Sequence, residues 1–80
     1  MEVSLSGPLR DAAEGLASIS IEAQTIRELL ERLVARYPRM EAHMAQGIAV
    51  AINGTIYRDN WNIPIPEDAE VYLLPRIAGG

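Results

Sequence analysis

Thr25-Ile26-Arg27-Glu28-Leu29-Leu30-Glu31-Arg32-Leu33-Val34-Ala35-Arg36-Tyr37-Pro38 is the stretch whose pattern decides the fold. Ile26, Leu29, Leu30, Leu33, Val34 and Tyr37 fall at i, i+3, i+4, i+7, i+8 and i+11, which is one face of a 3.6-residue helix. Arg27, Glu28, Glu31, Arg32 and Arg36 take the other face, and Glu28 precedes Arg32 by one turn in the favourable order. Thr25 offers a capping hydroxyl, Glu28 completes a capping box three positions on, and Pro38 stops the helix. A single helix with one apolar face needs a sheet to bury it.

The flanking sequence supplies that sheet. On the N-terminal side, Val3 and Leu5 alternate with Glu2, Ser4 and Ser6 as a half-buried strand ending at Gly7-Pro8. Leu9 to Gly15 reads as a short helical turn or wide loop. Ser18-Ile19-Ser20-Ile21-Glu22 then alternates again, close enough to pair antiparallel with the first strand. On the C-terminal side, 39–46 is open between a short helix and a loop, and Gly47 closes it. Ile48-Ala49-Val50-Ala51-Ile52 is apolar on both faces, as in a strand deep in a sheet. Asn53-Gly54 tolerates positive φ at both turn positions and should fold the chain back into Thr55-Ile56-Tyr57. Pro64 and Pro66 make 63–66 an edge or irregular connection, Glu67-Asp68 fits a turn, and Glu70 to Leu74 is the last strand. The order is strand, strand, helix, strand, strand, strand.

Composition narrows the chemistry. Eighty residues make one small domain, which buries only about 60% of the surface its unfolded chain exposes. There is no cysteine, so a disulfide framework, a thiolate metal site and a thiol nucleophile are all excluded. The net charge of −4 and a pI near 4.8 argue against nucleic acid as partner and favour a basic protein surface. All seven basic residues are arginine, so no side chain here can accept an isopeptide bond. Met1 to Leu5 carries no basic segment followed by an apolar run, and no apolar stretch approaches membrane-spanning length; the expectation is a cytoplasmic protein without membrane contact. No Ser-His-Asp, paired-carboxylate or phosphate-loop pattern stands out, so no catalytic or metal-ligating residue is assigned.

Four places together resemble the small sulfur-carrier proteins of molybdopterin and thiamin synthesis, the MoaD/ThiS family. They are Pro8-Leu9-Arg10, Thr25 to Leu30, Ala49-Val50-Ala51-Ile52-Asn53-Gly54, and Leu74-Pro75-Arg76-Ile77-Ala78-Gly79-Gly80. The last is the most specific, because with glycine near 7% of residues a final Gly-Gly pair arises by chance in about 0.5% of chains. The resemblance implies an α+β, β-grasp (ubiquitin-like) fold, a mixed sheet of four to five strands covered by one main helix. Residues 1–76 would form that domain, and 77–80 a flexible C-terminal tail. The layouts of 7–18 and 37–46 are more similar to the molybdopterin synthase small subunit. Arg76 in place of a second proline departs from it, and Arg58-Asp59-Asn60-Trp61 resembles the thiamin type.

The chemistry that the resemblance implies lies in the main chain. An E1-like adenylating enzyme, using its own ATP and magnesium, would activate the Gly80 carboxylate. A sulfur donor of the desulfurase or rhodanese type would convert it to a thiocarboxylate, and a larger catalytic synthase subunit would consume the sulfur. This chain would itself bind no cofactor and would be a carrier, not an enzyme. Arg76, Ile77, Ala78 and Gly79 would enter the partner's active site, where side-chain-free glycine keeps the tail thin. Thiamin, cysteine or tRNA thiolation, a protein modifier, and a non-covalent β-grasp interaction module are the alternatives. His43 reads as a surface residue, the serines of the strands as solvent-facing, and Trp61 as core filling before partner anchor. Arg58 and the Glu67-Asp68-Glu70 cluster are candidates for orienting a partner electrostatically.

Overall fold

The computed structural model describes residues 1–75. Its elements are β1 (Glu2–Leu5), α1 (Gly7–Ala12), β2 (Ser18–Ser20), α2 (Ile26–Arg36), α3 (Met40–Gln46), β3 (Ile48–Ile52), β4 (Thr55–Tyr57) and β5 (Val71–Pro75). One five-stranded sheet runs in the order β2-β1-β5-β3-β4, with β1 and β5 parallel and the other neighbours antiparallel. α2 covers one face. This is the β-grasp arrangement, and it puts the last strand at the centre of the sheet.

Period-2 alternation selects the inner face. Val3, Leu5, Ile19, Val50, Val71 and Leu73 are buried beneath Ile26, Leu29 and Leu33 of α2, whose side chains are fully enclosed. Each such leucine contributes about 2 kcal/mol through removal from water. Leu9 of α1 and Met40 of α3 close the core's ends. The segment left open between helix and loop is thus a helix, because Met40 is fully enclosed and Met44, one turn on, packs half-buried against the same core. Gly47 ends α3 at φ +108°, its N–H donating to the carbonyls of His43 and Met44.

The start of α2 follows the expected cap with one change. Thr25 Oγ1 accepts from the Glu28 N–H at 3.2 Å, but Glu28 Oε1 accepts from the N–H of Gln24, one residue before the cap, at 2.9 Å. Thr25 instead forms an isolated bridge with Pro64 that draws the 61–65 segment along the helix start. Thr25→Ala should lower the unfolding free energy by about 1 kcal/mol, read from the urea midpoint at unchanged slope; an unmoved midpoint would show that the cap bond adds nothing.

At the other end of the sheet, Asn53 and Gly54 have φ of +50° and +88°, the two-residue type I′ turn. Asn53 also joins the hairpin to β5: its N–H donates to the Glu70 carbonyl and its Oδ1 accepts from the Glu70 N–H, both at 2.9 Å. The last strand therefore begins at Val71 rather than Glu70 and extends to Pro75.

The β2 edge of the sheet is closed from above. Arg36 donates to the carbonyl of Ser20 at 2.7 Å and Arg32, one turn earlier, to the carbonyl of Glu22. Beside it the Met1 ammonium donates to Glu22 Oε1 at 2.6 Å. That hydrogen bond, then the ammonium charge, and then Arg32 hold the Glu22 carboxyl below its ordinary 4.5. A depressed carboxyl pKa stabilises the folded state above the unfolded value and loses that contribution as pH falls through the folded one. The stability gap between the wild type and Glu22→Gln should therefore be constant from neutral pH down to about 5 and shrink below it; a pH-independent gap in thermal melts would refute the linkage.

Candidate functional site

The topology brings the chain's last described residue to the middle of one sheet end. β5 pairs with β1 on one side and β3 on the other, and both ladders finish there: the Ser6 N–H donates to Leu73 O, and Pro75 stands opposite Ile48, the first residue of β3. Pro75 has no N–H to carry pairing further, and β1 has already turned into α1. Leu74 and Pro75 are both half-buried.

The face of the sheet away from α2 leads to that point. Register places Ser18, Ser4, Tyr72, Ala51 and Ile56 in one row across all five strands. The row changes character along its length. Ser18 and Ser4 make one end polar, while Tyr72 (43% exposed) and Ile56 (51%) flank Ala51 at the other. The next row toward the sheet end pairs Leu74 with Ala49. Ala51 leaves a shallow apolar floor between Tyr72 and Ile56, whereas Ala49 beside the half-buried Leu74 is itself covered. Exposed single apolar residues are ordinary, but a contiguous patch running to one end of a small domain is the form a protein interface takes.

The opposite end is acidic. Glu67, Asp68 and Glu70 are exposed around the turn before β5, with Asp68 at φ +59°, and Glu2 and Glu22 line the same open cleft. β5 separates Glu70, the nearest of this cluster, from Pro75 by about 17 Å, at roughly 3.3 Å per residue. The acidic group thus faces the far part of any partner lying along the strand, not the sheet end.

Of the residues singled out from sequence, Gly80, Gly79, Ala78, Ile77 and Arg76 lie outside the described residues. So does the expected boundary between domain and tail. Arg58 is exposed on the bend after β4. Trp61 packs half-buried against the core, and its carbonyl accepts from the Arg27 N–H at 2.8 Å, in keeping with a packing role. His43 is half-buried on α3. Ser4, Ser6 and Ser18 are half-buried and Ser20 exposed. Among the described residues no group of three or more His, Cys, Asp or Glu could hold a metal ion, and no helix is long and apolar enough to cross a membrane. The Tyr72-Ala51-Ile56 row escaped the sequence reading; the only trace of it was the alternation of Tyr72 and Leu74 with Val71 and Leu73.

Comparison with known proteins places these features in a family context. A family model described as the ThiS family matches residues 3–80. The small archaeal modifier protein 1 of Methanosarcina acetivorans superposes with a TM-score of 0.81 at 22% identity, covering 99% of this chain and 94% of that one. A chain of the Amycolatopsis orientalis BexX/CysO complex gives 0.80 at 21%, covering 99% and 98%. A chain of the complex of subunits 1 and 2 of molybdopterin-converting factor from Helicobacter pylori gives 0.68 at 25%, covering 99% and 96%. No curated protein sequence is significantly similar to this one.

Proposed function

This chain belongs to the ThiS family, and from that premise we propose that it is a ubiquitin-like sulfur carrier whose reacting group is the α-carboxylate of Gly80. The observation that carries the reading is the match of the family model through Gly80, on a fold whose central strand leads directly to those last residues.

A carboxylate is a poor electrophile because its charge is delocalised and oxide leaves badly. In the proposed first step a Gly80 carboxylate oxygen attacks the α-phosphorus of ATP and pyrophosphate leaves. In the second, a sulfur nucleophile at the oxidation level of hydrogen sulfide adds to the same carbon, AMP leaves, and a thiocarboxylate remains. ATP, magnesium and the acid-base groups belong to the adenylating partner. This chain contributes the tail and the apolar sheet face that holds the partner in place; Arg76, Ile77, Ala78 and Gly79 lie in the partner's channel. Fixing glycine is entropically costly, so contacts from Ile77 and from the Tyr72-Ile56 face have to offset it.

The destination we favour is molybdopterin. α1 and α3 fill the two places where the molybdopterin-type layout is longer, and the H. pylori molybdopterin-converting factor complex is among the structural relatives. The test is coexpression with an adenylating enzyme and a sulfur source, followed by intact-mass measurement. Replacement of one oxygen by sulfur is the expected result; an unchanged mass beside a partner that thiolates a known carrier would refute the reading. Adding the large subunit and the molybdopterin precursor then tests the destination, with thiamin, cysteine and tRNA thiolation as the contrary outcomes.

A further inference from the structure

The chain has three asparagines, and the structure treats them differently. Asparagine is a chemically labile residue, because the main-chain nitrogen of the residue after it can attack the side-chain carbonyl carbon. Asn60 precedes Trp61 and Asn62 precedes Ile63, whose side chains crowd that nitrogen. Their side-chain amides are also tied down: Asn60 Oδ1 accepts from the Asn62 N–H at 3.0 Å, and Asn62 Oδ1 accepts from Arg27 at 3.2 Å. Asn53 precedes Gly54, which is exposed and stands in open space, since a Cβ added there would meet nothing within 4 Å. Sterically, the attack on Asn53 is unhindered.

Conformation opposes it. The nearly flat five-membered ring that the attack forms needs Gly54 N and the carbonyl carbon, Cα, Cβ and Cγ of Asn53 close to one plane. A type I′ turn sets ψ of its first central residue to about +30°, which turns the peptide to Gly54 well out of that plane, and Asn53 at φ +50° occupies that position. Two hydrogen bonds then fasten the residue in place: its N–H donates to the Glu70 carbonyl and its Oδ1 accepts from the Glu70 N–H, both at 2.9 Å. Ring closure therefore requires the turn to open locally and let go of Glu70.

We propose that Asn53 is a modification site, a deamidation position gated by its clasp on Glu70. In the opened turn the Gly54 nitrogen gives its proton to hydroxide and bonds to Asn53 Cγ, and ammonia leaves with a proton taken from water. Water then opens the resulting succinimide. Breaking the new N–Cγ bond leaves aspartate; breaking the original peptide N–C bond leaves isoaspartate, whose main chain runs through Cβ. Aspartate keeps an acceptor for the Glu70 N–H but adds a negative charge to the end of the sheet that already carries Glu67, Asp68 and Glu70. Isoaspartate lengthens the main chain of a two-residue turn, so both bonds to Glu70 cannot be kept and the start of β5 comes free of the hairpin. The site stands or falls independently of the sulfur-carrier reading.

Trypsin cuts after Arg39 and Arg58, so fragment 40–58 holds Asn53 and fragment 59–76 holds Asn60 and Asn62. The intact protein and free fragment 40–58 are incubated side by side in one mildly alkaline buffer, and conversion of amide to acid is located by tandem mass spectrometry after brief digestion. Conversion at residue 53 ahead of residues 60 and 62 is expected in the intact protein. It should run about 10- to 1,000-fold slower than in the free fragment, a window centred on the fold-change that two net hydrogen bonds give. A ratio outside that window would overturn the gating, and earlier conversion at residue 60 or 62 would overturn the assignment. In the isoaspartate form, separated by ion exchange, the Glu70 amide should exchange with solvent at least about tenfold faster than in the unmodified protein. Unchanged protection of that amide would show that Asn53 does not clasp β5, and would overturn the proposal.

Discussion

A variant ending at Ala78 should form no thiocarboxylate at all, under conditions that convert the intact chain fully, while melting at the same temperature. The loss is complete because Gly80 carries the reacting atom in the proposed scheme, and removing it takes away the nucleophile of the first step and the acceptor carbon of the second. The new terminus at Ala78 also ends too early to reach the same point, since two residues of extended chain span about 7 Å, several times the misplacement that already costs catalysis dearly. Stability should be untouched, because among the described residues the enclosed core runs from Val3 to Leu73 and β5 pairs with both of its neighbours over residues 71–75. Intact-mass measurement and a thermal melt on one sample check both halves. Sulfur on the shortened chain would refute the scheme, and a lowered melting point would show that the last two residues belong to the fold.

Ile56→Asp combined with Tyr72→Ala should weaken binding to the proposed adenylating partner by about 30- to 1,000-fold, equivalent to roughly 2–4 kcal/mol. Tyr72 and Ile56 are the largest exposed apolar groups on the outer face and flank the same alanine. An aromatic anchor at the centre of an interface commonly contributes most of its energy, and a carboxylate at Ile56 would be desolvated without a counter-charge. Both side chains point away from the core, so the fold should lose little. Thiocarboxylate formation then becomes slow at low partner concentration and recovers at high concentration, which separates lost docking from lost chemistry. Unaltered affinity would place the docking surface elsewhere on the domain.

Much of the fold was legible because its signals are local. The helix face from Ile26 to Tyr37, its Thr25 cap, the Asn53-Gly54 turn and the alternation of Val3 and Leu5 each need only a few neighbouring residues to be read. Helix α3 stayed open because its cause is tertiary: Met40 and Met44 form a helix where the core end has room for them. The reciprocal capping bond runs from the Gln24 N–H rather than from Thr25, at a helix start bridged to Pro64, 39 positions away, which no local pattern shows. The outer row was not legible, since Tyr72, Ala51 and Ile56 meet only once three strands are in register. The reverse holds for Gly79-Gly80, which drew attention in the sequence and lies beyond the described residues, so the reacting group rests on sequence and family.

Trypsin offers the most direct measurement, since it cuts after Arg76 and isolates Ile77-Ala78-Gly79-Gly80 from every methionine in the chain. After reaction with the adenylating enzyme and a sulfur source, the account predicts that this tetrapeptide, and no other fragment, carries one sulfur in place of oxygen. Sulfur found on any fragment from residues 1–76, or a sulfur-free tetrapeptide from a sample whose intact mass has shifted, would contradict it.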